Sequence, residues 1–221
     1  MTYQSPVQAS DFHPDTQAYF AGACVAVTGG SGFVGSHVVE QLLALGARVI
    51  VPSRQAPSPP FLAHLGDRID VRPCDFQHRS QARPSIDGAD VVMNLAASVA
   101  GIEYNATHPE TVFRDNMRTF LNVMEAALQV QARRFLVVSS ACIYPRHCLV
   151  PTPETEGFSD SPEPTNAGYG WAKRMEEYAA AAAVKEHGLE VAIARPYNAY
   201  GPRDNFNPGS SHVLPALILK A

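Results

Sequence analysis

The sequence has no long apolar run, no basic excess and no ordered spacing of cysteines, and each absence closes a class of function. No uninterrupted apolar stretch approaches the roughly 20 residues that cross a bilayer, so no membrane partner is expected. Lys and Arg number 17 against 21 Asp and Glu, a formal charge of −4, and neither they nor the eight histidines cluster. Nucleic acid or an anionic membrane surface would call for a concentrated basic field, and no nucleic acid is expected either. Cys24, Cys74, Cys142 and Cys148 show no metal-ligand spacing, so no metal is expected, and a reducing cytoplasm suits them. Cys24, Cys74 and Cys148 read as small buried fillers. The opening residues, MTYQSPVQASDFHPD, lack the basic segment followed by an apolar one that makes a signal peptide. The expected location is cytoplasmic. What remains is a chain of 221 residues, 46% hydrophobic and 17% charged, enough for one globular domain with a substantial core.

The most informative stretch runs from Cys24 to Ser36 and reads CVAVTGGSGFVGS. A short β-branched run meets a glycine cluster and then a helical pattern. Gly30, Gly32 and Gly35 fit G-x-G-x-x-G, while Gly29, Gly32 and Gly35 fit G-x-x-G-x-x-G with Thr28 in front. Between a strand and a helix, glycines let the backbone approach a pyrophosphate, which the helix N-terminus then faces with unpaired N–H groups. The spacing predicts a dinucleotide site made by Gly29, Gly32, Phe33, Val34 and Gly35.

Periodicity organises the rest. Residues 1–20 are expected to be an N-terminal arm over the domain, and residues 21–221 the dinucleotide-binding domain. Strands are predicted at Cys24 to Val27, Arg48 to Val51, Ile69 to Arg72, Val91 to Leu95, Phe135 to Val138 and Val191 to Ala194. Helices are predicted after the glycine loop as far as Gly46, around Gln77 to Ser85, from Thr111 to Gln131 and from Tyr169 to His187. Proline-rich APSPP, Ala56 to Pro60, must be an exposed loop. Strands alternating with helices imply an α/β fold, a Rossmann-type doubly wound parallel sheet with right-handed crossovers. The sequence stops within an apolar helical pattern from His212 to Ala221, an odd place to end a domain, so a truncated chain is expected; that a small C-terminal substrate domain is the missing part is implied by the family resemblance given below.

A NAD-binding unit places Asp or Glu about 20 residues past its glycines, on the ribose hydroxyls. Here the second strand ends Val51-Pro52-Ser53-Arg54. An acid would repel a 2′-phosphate, whereas Ser53 and Arg54 can bind one; the expected cofactor is therefore NADP(H) rather than NAD(H). The alternative for Arg54 is a solvated loop charge. Tyr169 and Lys173 lie four apart and leave one helix face. A lysine ammonium beside a phenol is expected to acidify it for acid–base work. Ser139 and Ser140 end the fifth strand, where doubly wound sheets hold their ligands.

Glycine loop, strand-end serine, then Tyr and Lys in that order resemble the extended short-chain dehydrogenase/reductase family. Asp75-Phe76 is similar to that family's adenine-contacting pair, and Asn94-Leu95-Ala96-Ala97 to its Asn-x-Ala-Ala turn. The resemblance implies cofactor contacts at Asp75, Phe76, Leu95, Ala96 and Ala97. It also implies a Ser140–Tyr169–Lys173 triad in which Ser140 orients the reacting oxygen and Lys173 holds the nicotinamide ribose. SSACIYP at 139–145, EPTNAGYGWAK at 163–173 and RPYNAYGPRDNFNPGSSHVLPA at 195–216 narrow it to the GDP-L-fucose synthase family, epimerase–reductases of GDP-4-keto-6-deoxymannose. By that resemblance Cys142 and His212 are the epimerisation acid and base, and Pro196 and Asn198 line the nicotinamide and sugar. Read alone, Cys142 is a core cysteine and His212 a helix-start residue. A GDP-sugar substrate and a homodimer follow from the same resemblance, with the helices 111–131 and 169–187 making the interface through outward residues such as Val130 and Ala180. SSACIYP also occurs in GDP-mannose 3,5-epimerases. An epimerase without net reduction, a plain C4 reductase and a non-catalytic dinucleotide-binding fragment therefore stand as alternatives.

Overall fold

A computed structural model describes residues 7–99, 101–207, 211 and 213–220. In chain order the elements are α1 (Pro14–Phe20), β1 (Cys24–Thr28), α2 (Phe33–Ala44), β2 (Arg48–Ser53), β3 (Ile69–Pro73), α3 (Arg79–Ser85), β4 (Val91–Asn94), α4 (Ile102–Thr107), α5 (Pro109–Gln129), β5 (Arg134–Val138), α6 (Ala167–His187), β6 (Glu190–Ala194) and α7 (Val213–Ile218). The six strands form one sheet in the order β3-β2-β1-β4-β5-β6, and every pairing is parallel. Strand order reverses beside β1, which pairs with β2 on one side and β4 on the other. A doubly wound sheet opens its ligand crevice there, at the carboxyl ends of the strands.

β1 explains why the sheet is parallel and covered on both faces. All five of its residues are buried, as expected of a β-branched run that alternates toward two helical layers. Val25, Val27, Val49 and Val51 pack with Val39 and Leu42 of α2 and with Leu62 and Leu65 of the 60–68 turn. Ala26, Val92, Phe135 and Val137 face the other way, onto Phe120, Val123 and Ala127 of α5 and Ala180 and Ala183 of α6. α5 and α6 therefore lie side by side on one face of the sheet. Ala180 is fully buried there, so it cannot belong to an outward contact surface; Val130 is half-buried against the same core.

Three further regions gain detail in the structure. The 1–20 arm contains α1, whose Tyr19 and Phe20 pack against the α2-side core, with the Arg134 guanidinium 4.3 Å from the Tyr19 ring centroid. Cys24 and Cys74 are buried, but Cys148 is only half-buried, with its sulfur 3.5 Å from the Thr152 hydroxyl, and is no core filler. The predicted helix at the end of the chain is six residues, Val213–Ile218, and only Pro215 of it is buried. No helix among the described residues is long and apolar enough to cross a membrane.

Candidate active site

The crevice is built from the ends of β1, β4 and β5. Gly29 follows β1 with φ +68°, and a Cβ there would lie 2.8 Å from the Leu95 carbonyl. At Gly35 an added Cβ would meet the Gly29 carbonyl oxygen at 2.2 Å. Neither position admits a side chain, so the loop folds tightly onto the β4 end and the first turn of α2. Gly32 is the N-cap of α2 and supplies no side-chain cap, which leaves that N-terminus directed at the crevice. The Thr28 hydroxyl donates to Asn94 Oδ1 at 2.7 Å and accepts from the Ala96 amide at 3.2 Å, tying the β1 and β4 ends together. Asn94 Nδ2 and Ser139 Oγ are buried polar atoms without a hydrogen-bond partner among the described residues. Two orphaned groups beside a glycine cradle suit a polar ligand laid across the strand ends.

The predicted cofactor residues fall around this cradle with different exposure. Ser53 is buried, and its hydroxyl donates to Ser31 Oγ at 3.1 Å while accepting from the Gln55 amide at 3.0 Å. Arg54 is exposed and makes no ion pair among the described residues, so its guanidinium is open to a ligand anion. Asp75 is half-buried and accepts from the Gln77 amide at 2.9 Å. Phe76 has its ring in the core and its carbonyl bonded to Asn122, which leaves it no exposed ring face. Leu95, Ala96 and Ala97 are half-buried along the crevice floor. Pro196 and Asn198 are exposed after β6, and the Pro196 carbonyl accepts from the Ala141 amide at 3.1 Å. The same segment is clasped to α2, with Arg203 bonded to Glu40 at 2.5 Å and His64 to the same carboxylate at 2.9 Å.

Ser140, Cys142, Tyr169 and Lys173 are brought together where β5 ends and α6 begins. Ser140 caps a short turn, Ala141–Ile143, by accepting from the Cys142 amide at 3.1 Å. Arg174, itself buried, holds that turn from α6: its Nε and Nη2 donate to the Ile143 carbonyl at 2.9 and 2.6 Å. Lys173 Nζ donates to the Val138 carbonyl at 3.0 Å and to Glu176 Oε2 at 2.9 Å, and lies 5.6 Å from the Tyr169 ring centroid. His212 lies outside the described residues.

The electrostatics differ from the expected acidified tyrosine. Burial pushes the Tyr169 phenol above its ordinary range, the Glu176 and Cys142 charges push the same way, and a hydrogen bond from Ser140 only partly opposes them. The Lys173 ammonium is neutralised by a carboxylate three residues along the same helix, so its field at the phenol is weakened. Burial also pushes Glu176 up to about 6, with Lys173 pulling it back. Sequence reasoning passed over Glu176, although its (i, i+3) offset from Lys173 puts the two side chains on one helix face. It also passed over Arg195, whose guanidinium bonds Glu177 at 2.9 and 2.7 Å and the Glu154 carbonyl at 2.6 Å. That contact anchors the 146–166 loop beside the Cys142 turn.

Comparison with known proteins is consistent with this arrangement. In Oryza sativa subsp. japonica, a probable GDP-L-fucose synthase 1 is 36% identical over 198 residues, covering 89% of this chain and 56% of that protein. The GDP-L-fucose synthase of Escherichia coli (strain K12) is 32% identical over 195 residues, covering 88% and 56%. The chain thus spans about half the length of the curated relatives it matches. Among solved structures, the UDP-glucose 4-epimerase of Thermotoga maritima superposes with a TM-score of 0.73 at 27% identity, covering 85% of this chain and 60% of that one. The sequence model of the NAD dependent epimerase/dehydratase family matches residues 25–221, from β1 through α7. With the glycine cradle, the Tyr–Lys helix face and the sheet order all inside that span, the chain belongs to the NAD dependent epimerase/dehydratase family.

Proposed function

We propose that this chain carries the dinucleotide site and the reaction centre of an NADP(H)-dependent epimerase and reductase acting on a GDP-linked 4-keto-6-deoxy sugar. The observation that carries the reading is the gathering of Ser140, Cys142, Tyr169 and Lys173 at the crevice mouth, next to a cradle into which no side chain fits. Relatives named as GDP-L-fucose synthases support the substrate class, and exposed Arg54 after β2 supports NADP(H) over NAD(H).

The residues fit the cofactor and divide its environment. The α2 N-terminus and the Gly29–Gly35 loop would hold the pyrophosphate, and Ser53 and Arg54 the 2′-phosphate. Asn94 and Ser139 offer their unpartnered groups along the crevice. Lys173, with two of its three N–H donors on Val138 and Glu176, keeps one for a ribose hydroxyl. When bound, NADPH supplies a hydride to carbon C4. Tyr169 gives its phenol proton to the C4 oxygen as the carbonyl pair moves there, and is reprotonated from solvent; Ser140 orients that oxygen. Cys142 moves a proton at C3 or C5, whose hydrogens the C4 ketone acidifies, and His212 is the proposed partner base on the opposite face.

The test is direct. Purified protein given GDP-4-keto-6-deoxymannose and NADPH should consume NADPH in proportion to sugar, and consume NADH far more slowly. Absence of consumption with both cofactors contradicts the proposal.

A further inference from the structure

Lys173 has a partner that its proposed role does not use. Glu176 sits one helical turn further along α6, and both side chains are 2% exposed, with Nζ and Oε2 2.9 Å apart. Such a pair is costly to desolvate and is weak evidence for stability by itself. Its position is informative: the ammonium lies 5.6 Å from the Tyr169 ring, so whatever neutralises it also changes what the phenol feels. The other groups acting here are known. Glu177, the neighbouring carboxylate, is held in a bidentate pair by Arg195. Cys142, on the 141–143 turn, opposes ionisation of Tyr169, and the Val138 carbonyl takes a second Lys173 N–H. Among the described residues, only Glu176 contacts the lysine as a charge.

We propose that Glu176 is a positioning residue of the reaction centre, whose carboxylate neutralises Lys173 so that Tyr169 stays a phenol and serves as proton donor to a ketone oxygen. This rests on the Tyr169–Lys173 reading given above and extends it to the direction of proton transfer. A lone lysine ammonium beside the phenol would favour phenolate, the form that removes a proton from an alcohol. With the charge cancelled, phenol persists at neutral pH, which suits reduction of a ketone and disfavours the reverse oxidation. Lys173 keeps one N–H for a ribose hydroxyl in either case, so Glu176 sets the charge without displacing the contact. The raised phenol and the opposing actions of burial and Lys173 on Glu176 agree with this division.

The test reads Tyr169 directly. Tyrosine ionisation is followed by absorbance near 295 nm, with Tyr169→Phe counterparts subtracting the other seven tyrosines. In Glu176→Gln the Tyr169 midpoint should fall by about one to three pH units from wild type, and Glu176→Asp should recover most of that fall. If Glu176→Gln does not fold, as judged by circular dichroism, Glu176→Ala is measured in its place, and the Tyr169 midpoint should fall by at least about one unit. A purely structural ion pair would leave the Tyr169 midpoint unmoved in either comparison, and that result overturns the proposal. NADPH binding is measured on the same samples. If wild type binds no NADPH, the cofactor reading fails, while the tyrosine titration still decides the role of Glu176.

Discussion

At the residue scale, cofactor recognition and proton transfer turn on charges placed at strand ends. Arg54 follows β2 without an ionic partner among the described residues, and the preceding Ser53 is already bonded within the turn. A 2′-phosphate would therefore be recognised chiefly by the guanidinium. Because Arg54 is exposed, its pair belongs at the low end for charge-assisted bonds, about 1.5 kcal/mol, or roughly tenfold in affinity. Arg54→Ala should weaken NADPH by about that factor and leave NADH unchanged in a fluorescence titration; equal losses for both would defeat the assignment. The Tyr169–Lys173 pair was legible because four-residue spacing on a helix is itself a contact rule. The protonation of Tyr169 was not. Desolvation and the Glu176 charge depend on how α6 buries one face, and no local spacing reports that.

At the element scale, α5 was legible as a long amphipathic pattern and α6 as a long run of good helix formers with its alanine stretch, whereas α1 and α4, of seven and six residues, went unread. Burial again separates what the pattern could and could not tell. Two small apolar residues were read as outward, yet Ala180 faces the core. The face that is open is marked by larger side chains. Phe113 and Leu121 of α5 and Trp171 and Tyr178 of α6 are exposed, and Pro109, Phe113, Ala167, Gly168, Trp171 and Met175 line an apolar groove between the two helices. We propose that a second copy covers this groove, two helix pairs packing as a four-helix bundle. Light scattering at micromolar concentration should give twice the chain mass, and Leu121→Glu should return the chain mass with the fold intact. A wild-type monomer would contradict the dimer.

At the scale of the whole molecule, alternating strands and helices sufficed to predict a doubly wound sheet, and the strand order β3-β2-β1-β4-β5-β6 agrees. The reason is physical: right-handed crossovers and a glycine turn after β1 leave few alternatives. The tertiary ties that close the site were not legible. Arg203 reaching Glu40 spans 163 positions, and Arg195 reaching the Glu154 carbonyl spans 41; pairs so separated become visible only once the sheet has brought their loops to one edge. The same edge gathers the groups proposed for two different steps, Cys142 for a proton at C3 or C5 and Tyr169 for the proton at the C4 oxygen.

Those steps should part under mutation, and solvent deuterium exchange measures this most directly. Wild type incubated in deuterium oxide with GDP-4-keto-6-deoxymannose should incorporate deuterium at C3 and C5 and, with NADPH, reduce C4. Cys142→Ser should still bind NADPH but lose exchange, because near neutral pH a hydroxyl is a far weaker base than a thiol. Tyr169→Phe should retain exchange while NADPH oxidation falls by about 10²–10⁴-fold, the usual contribution of a positioned proton donor. If Cys142→Ser exchanges both hydrogens at the wild-type rate, Cys142 moves no proton, and the proposal of a joint epimerase and reductase gives way to a plain C4 reductase.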